Sequence, residues 1–390
     1  MILTQCAVCA APLGLSLGKK CGRCSTRYCG PECQVQHWKE GGHDQLCKPM
    51  KKAGGAEQYN ANKKYTEAVT VAAEACAEDT KGQTCYICTQ AVHWKTKEGL
   101  VRGCSCRGTA GFAHVSCLAE EAKVLMDEAE ENNLGYDAMT ERWRRRYKCS
   151  LCEQDYHGVV ACALGWACWK TYVGRPETAE LRSFAMKLLG LGLCAAKHYA
   201  DALSVQEAHL SLLRRIGAPE DSILGMQTNL SSTYGQLGRD EEALSMKRDV
   251  YSGHLKLYGA QNRHTFIPAN NYATSLISLE RFEEAKVLLR KTMPVARRVL
   301  GEGCEATLII RLNYAKAFYR DTGATHDDLR EAVTTLEELE TTARRVLGGS
   351  YPTTVTIEAS LQDARAALRA REAPEVLQTA DDLAAHFDSL

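Results

Sequence analysis

The stretch CSCRGTAGFAHVSC, residues 104–117, crowds Cys104, Cys106, His114 and Cys117 into one short run. Alone it admits a catalytic thiol, a disulfide knot or half of a metal site, and only partners elsewhere in the chain decide. Upstream stands CYIC, with Cys85 and Cys88, and downstream CSLC, with Cys149 and Cys152. Two thiols this close can both reach one Zn2+ at about 2.3 Å, and two such pairs complete a tetrahedron. Eight ligands make two closed four-coordinate sites, with no position left for water or substrate. A nucleophilic cysteine needs a base beside it and an open face, and a metal-bound thiolate offers neither.

A second set of eight precedes it: Cys6 and Cys9, Cys21 and Cys24, Cys29 and Cys33, then His43 and Cys47. His37 is a rival to His43, but only His43 has the three-residue spacing to Cys47. His37 is expected on the surface of the short helix that carries Trp38. A segment this short builds little core, so metal would supply most of its folding free energy, on the order of 10 kcal/mol per site. Four structural Zn2+ ions per chain are therefore expected.

Fifteen of the 19 cysteines lie before Tyr156. The start, MILTQCAVCA, shows no secretion leader, so a reducing compartment, cytoplasm or nucleus, is expected, which favours metal over disulfides. With 48 basic and 48 acidic residues the formal net charge is zero. There is then no global electrostatic case for a nucleic-acid or membrane partner. The least polar run, VVACALGWACW at 159–169, is too short to span a bilayer and reads as a buried helix. Trp166, Trp169 and Tyr172 read as the apolar face with which that helix docks the finger on the helical half of the chain.

The phrase YCGPECQVQHWKEGGHDQLC, residues 28–47, resembles a MYND finger. That likeness implies interleaved ligation, with Cys6, Cys9, Cys29 and Cys33 on one ion and Cys21, Cys24, His43 and Cys47 on the other. The ligand order from Cys85 to Cys152 resembles the RING-CH finger. A PHD finger shares the order, but the one-residue gap between Cys104 and Cys106 and the seven residues before His114 favour RING-CH, while Tyr147 is PHD-like. The shared cross-brace implies Cys85, Cys88, His114 and Cys117 on one zinc, and Cys104, Cys106, Cys149 and Cys152 on the other. RING-CH further implies recruitment of a ubiquitin-conjugating enzyme, with Ile87 as an apolar contact and Leu118 in the core. Two features depart from that family: no Trp stands within a few residues after the sixth ligand, in LAEEAKVLMDEAEENN, and Glu153 stands where active fingers often carry a basic residue. Between Leu118 and Lys148 an inserted helix with acidic faces is expected. The run RWRRRYK, 142–148, reads as its solvated end rather than a nucleic-acid patch.

From Arg175 the texture changes to long amphipathic helices with an internal period. Gly217, Gly259 and Gly301 recur every 42 residues, as do Asn229, Asn271 and Asn313. Each unit reads as a helix pair closed by a glycine, and pairs must stack to bury their apolar stripes. The units resemble the tetratricopeptide repeats of kinesin light chains, with a degenerate first repeat near 186–217 and a capping helix after Tyr351. That likeness puts the three asparagines on a concave face, bonding a bound peptide backbone. A tie between adjacent helices is the equal alternative for all three. Cys194 and Cys304 read as small core residues within helices, and Cys76, Cys162 and Cys168 are similarly unpaired.

The expected fold is mostly α, with two small cross-brace zinc fingers followed by an α-solenoid of helix pairs. Its parts are a MYND-type finger (6–47), a helical linker (48–80), a RING-CH-type finger with helical insert (81–158), a docking helix (159–175), repeats with a capping helix (176–371) and a tail (372–390). No catalytic residue stands out. Two functions remain: a ubiquitin ligase-like adaptor, taking protein or peptide partners on the repeats and the MYND finger, or a non-enzymatic scaffold. Loss of one ligand, Cys29 or Cys149, should unfold its own finger and leave the repeats helical.

Overall fold

A computed structural model describes residues 6–11, 13, 18–349 and 351–387, the stretch 373–387 as helical backbone. The chain divides into two compact units, Met1–Leu237 and Gly238–Leu390. Among the described residues no helix is long and apolar enough to cross a membrane.

The first unit opens with a short antiparallel pair, β1 (Lys19–Lys20) and β2 (Arg27–Tyr28). Helix α1 (Pro31–Lys39) begins with proline at its first turn, where the missing N–H costs nothing. Helix α2 (His43–Lys52) follows, then α3 (Ala56–Ala75). The region expected as a linker is a packed element: Ala61, Tyr65, Val69 and Ala72 form a buried stripe at helical spacing. The insert is two helices, α4 (Val115–Glu131) and α5 (Tyr136–Trp143), with a 3-10 turn over Arg144–Arg146. The single expected helix breaks at Asn133, which has φ +50°, and Gly135 starts the next.

Helix α6 (Gly158–Tyr172) packs against α3, α4 and α7 (Glu180–Ala195). The sequence suggests docking through one aromatic face. Instead Val160, Ala163, Leu164, Trp166, Cys168 and Trp169 are all buried, so the helix is apolar all round, as a central helix must be. Helices α8 (Tyr199–Arg215) and α9 (Glu220–Gln236) complete the unit, α8 packing on both α7 and α9.

The second unit runs α10 (Asp240–Tyr258), α11 (Arg263–Ser278), α12 (Phe282–Leu300), α13 (Glu305–Tyr319), α14 (His326–Val346) and α15 (Pro352–Phe387). Each helix packs on the next, and α13 also packs on α11 and α15, the contact pattern of stacked helix pairs. Phe266, Leu276, Leu289, Leu308, Phe318 and Leu336 lie in their shared core. Gly259 and Gly301 close α10 and α12 at φ 81°, ψ 168° and φ 90°, ψ 158°. That region is essentially glycine-only, which is why the period is marked by glycine rather than by another cap. The loop before α14 ends in a reciprocal cap: Asp328 N donates to Thr325 Oγ1 at 3.2 Å, and Thr325 N donates to Asp328 Oδ2 at 2.9 Å. Cys304 lies just ahead of α13 rather than within a helix.

Candidate metal centres

Four groups of donors assemble in the first unit: Cys6, Cys9, Cys29 and Cys33; Cys21, Cys24, His43 and Cys47; Cys85, Cys88, His114 and Cys117; Cys104, Cys106, Cys149 and Cys152. Within each, all four donor atoms lie within 4.8 Å of one another. A zinc tetrahedron with Zn–S near 2.3 Å and Zn–N near 2.05 Å has edges of about 3.8 Å between sulfurs and about 3.6 Å between sulfur and nitrogen. Observed S···S separations are 3.5 Å for Cys9–Cys29, 3.8 Å for Cys21–Cys47 and 3.7 Å for Cys106–Cys149. His43 Nε2 stands 3.5 Å from both Cys21 and Cys24, and His114 Nδ1 3.3 Å from Cys88 and 3.6 Å from Cys117. No disulfide joins any of these thiols. The donor set and its spacing fit zinc.

Local structure explains the spacings. His43 is the first residue of α2, so Cys47, four residues on, lies one turn away on the same face. His114 caps the N-terminus of α4 and Cys117 lies in its first turn. The CxxC pairs form tight loops in which the amide two residues after the first cysteine points back at its sulfur: Ile87 N to Cys85 Sγ and Leu151 N to Cys149 Sγ, both 3.4 Å. Burial pushes the Cys21 thiol up, but His43 and the amides of Arg23 and Cys24 more than offset it, bringing it down to about 6. Cys47 beside it is pushed up to about 11 by burial and by the neighbouring sulfurs. Buried thiolates this close repel, and a cation among them removes the conflict.

His37 is not a plain surface residue. Its Nδ1 meets the Tyr28 hydroxyl at 2.9 Å, and its ring lies 4.8 Å from that of His43. It therefore buttresses the ligand without joining the donor group. The basic run is not a solvated helix end either. Arg142 pairs with Glu128, Arg144 with Glu141, Arg145 with Glu153 at 2.8 Å and Lys148 with Asp155. Arg146 is buried against Trp143 and Tyr172. The run pins the insert to the second finger and to α6, and which acidic side chains turn to face it is what the one-dimensional reading lacks.

Ile87 is 38% exposed, and Leu151 at the same place in the second CxxC loop is 52% exposed. Their neighbours Tyr86 and Ser150 share a 3.0 Å hydrogen bond that holds the two loops together. Sequence reasoning singles out Ile87 and misses Leu151; the register of Leu151 in CSLC, matching that of Ile87 in CYIC, is the available signal. Leu118 is core, as expected.

The repeated asparagines diverge. Asn313 is buried, and its Nδ2 donates to Asn270 Oδ1 at 2.8 Å and Thr274 Oγ1 at 3.2 Å, tying α13 to α11. That engagement is the tie between helices that the sequence leaves as the equal alternative to peptide binding for Asn313. Asn229, on α9 of the first unit, and Asn271, on α11 of the second, are half-buried.

Residues 6–47 match the model of the MYND finger, and residues 85–132 that of the RING-variant domain. The second match stops short of Cys149 and Cys152, which the fold brings to Cys104 and Cys106. The chain thus carries a MYND finger and a RING-variant domain with zinc-binding Cys/His clusters, followed by consecutive helix pairs. None of the curated proteins matches the chain. Among solved structures, the nearly identical TPR-like repeats of a Podosopora anserina kinesin light chain are similar at 17% identity and TM-score 0.41, over 60% of this chain and 97% of that one. BtubC (BKLC) from P. vanneervenii is similar at 12% identity and TM-score 0.41, over 68% of this chain and 91% of that one. The repeat architecture rests on the helix pairs themselves.

Proposed function

We propose that this chain is a ubiquitin ligase-like adaptor. Four structural Zn2+ ions would hold its two fingers, the RING-variant domain would recruit a ubiquitin-conjugating enzyme, and the MYND finger and repeats would take protein or peptide partners. The observation that carries this reading is the pair of exposed apolar side chains, Ile87 and Leu151, on two ligand loops joined by Tyr86 and Ser150. Apolar side chains held outward on metal-rigidified loops lose little conformational freedom on binding, which is what a transient protein contact requires. A closed zinc site has no vacancy for chemistry, so the finger would act by positioning the charged conjugating enzyme rather than through a covalent intermediate.

A non-enzymatic scaffold is the second reading, and Glu153 favours it. Its carboxylate follows the last ligand and is already engaged by Arg145. In vitro ubiquitin transfer with a panel of conjugating enzymes separates the two. The ligase reading expects chain formation with at least one enzyme, lowered about tenfold or more by Ile87→Ala (a hot-spot loss near 1.4 kcal/mol) at unchanged zinc content. Silence with every enzyme leaves the scaffold.

A further inference from the structure

Within the first unit, α5, α6 and α7 enclose a cavity of about 740 Å³. Met139, Leu164, Phe184, Leu188 and Leu191 give it an apolar lining, and Arg146 contributes a cation to the wall. Arg146 is only 3% exposed. Its Nη2 donates to the Tyr172 hydroxyl at 2.6 Å and to the Ala122 carbonyl at 3.5 Å, while Nε is buried with no partner. Arg142, Arg144, Arg145 and Lys148 pair within the insert and finger, Arg175 pairs with Glu130 at 2.6 Å, and Lys187, the other cation on the lining, stands exposed to solvent. Among the described residues no carboxylate pairs with Arg146. The adjacent Cys168 is no substitute anion, because burial pushes its thiol up to about 11.

A guanidinium that is buried without a counter-ion is costly, and it cannot escape the cost by losing its proton. Aromatic stacking on Trp143 and Tyr172 offsets part of it. The acids that line the cavity are engaged elsewhere, Glu130 by Arg175 and Asp155 by Lys148, and Glu180 stands exposed. The missing anion has to arrive from the cavity side. We infer that this cavity binds a small amphiphilic carboxylate, its apolar chain against the α5, α6 and α7 side chains and its carboxylate on Arg146.

Size and charge favour that occupant over a peptide helix. The volume falls inside the range of roughly 300–1,000 Å³ typical of small-molecule sites. A helix 10–12 Å across with a 5.4 Å pitch would fit only about one to two turns there, too few for spaced anchors. One buried guanidinium without a carboxylate also matches one monoanion, and the fork geometry suits a carboxylate.

The test uses the full-length, zinc-loaded chain and two fluorescent probes, cis-parinaric acid and its methyl ester, which differ in the head-group charge. The acid should bind saturably, and the ester about tenfold or more weaker, the loss expected for a charge-assisted bond. Arg146→Gln should bring acid and ester to equal affinity. Leu191→Asp changes a side chain at the cavity mouth that is already 41% exposed, so the fold tolerates it, and it should weaken both probes about tenfold. If Arg146→Gln does not fold, the acid-to-ester ratio and Leu191→Asp decide alone. Equal binding of acid and ester to the parent chain, no saturable binding of the acid, or binding indifferent to Leu191→Asp would each overturn the assignment.

Discussion

Asn313 and Asn271 hold equivalent places in successive repeats and have different neighbours. The period in the sequence shows that an amide recurs, but a period cannot show whether its partner is another helix or a visiting chain. For Asn313 the partners are Asn270 and Thr274, and the amide is buried between them. Removing it loses both bonds, although Thr274 is exposed and Asn270 half-buried, so water can reach the groups left behind. Asn313→Ala should therefore cost about 0.5–1.5 kcal/mol, the net worth of a hydrogen bond, and lower the melting temperature of the second unit. Asn271 is half-buried and, among the described residues, makes no such bond to a neighbouring helix, and Asn271→Ala should cost under about 0.5 kcal/mol, as substitutions away from buried polar contacts do. Equal thermal shifts from both would refute the distinction. At this scale the zinc ligands are legible in the sequence as close pairs, while which pairs share an ion is what the resemblance to cross-brace fingers implies, and the fold brings those same sets together. Arg146 is not: Trp143, Tyr172 and the Ala122 carbonyl, which surround it, come from three separate elements.

Elements are legible where pattern and environment agree, and misread where one composition fits two environments. The run at 159–169 reads as a buried helix, and α6 is that helix. Its depth is hidden because α3, polar in composition, covers it with a stripe of small and aromatic residues. What lets α6 approach α7 so closely is Gly192, where an added Cβ would stand 2.6 Å from the Ala161 carbonyl oxygen and 3.2 Å from Cys162 Cα. These are backbone atoms and cannot swing aside. Helix propensity alone would make Gly192→Ala stabilising by about 1 kcal/mol. The clash outweighs it, since forcing packed elements apart costs about 1–3 kcal/mol and here the obstacle is backbone. Gly225→Ala, in α9 with nothing within 4 Å of the new Cβ, isolates the propensity effect. Thermal melts should move in opposite directions, Gly192→Ala down and Gly225→Ala up. A rise for both would mean that the two helices separate freely.

On the scale of the whole molecule, the two fingers are not equivalent attachments. Cys6, Cys21, Cys24 and Cys47 share a small core with Tyr28 and Met50. Cys85, Cys104, Cys117 and Cys149 instead belong to one continuous core with Phe112, Trp166, Trp169, Leu189 and Leu212, which reaches from α3 to α8. Zinc at the second finger therefore holds one wall of the core of the first unit. A structural site supplies about 10–16 kcal/mol at neutral pH. A whole domain is stable by only about 5–15 kcal/mol. Loss of that site should exceed what the remaining packing can hold. Because the ligand pairs interleave, Cys149→Ala removes one donor and frees Cys152 and the Cys104–Cys106 loop with it. The chain should drop from four bound zinc ions to two by native mass spectrometry. Its far-UV circular dichroism should lose the helices from α3 to α9, while α10–α15, packed in a core of their own, remain. That outcome differs from the sequence expectation, in which every repeat helix survives loss of a finger. Cys29 sits exposed in the first finger, outside the continuous core, so Cys29→Ala should lower the zinc count while most of the helical signal stays. Full helicity in Cys149→Ala after its zinc is lost would show that α3–α9 stand without the metal, and would return the second finger to the status of an appendage.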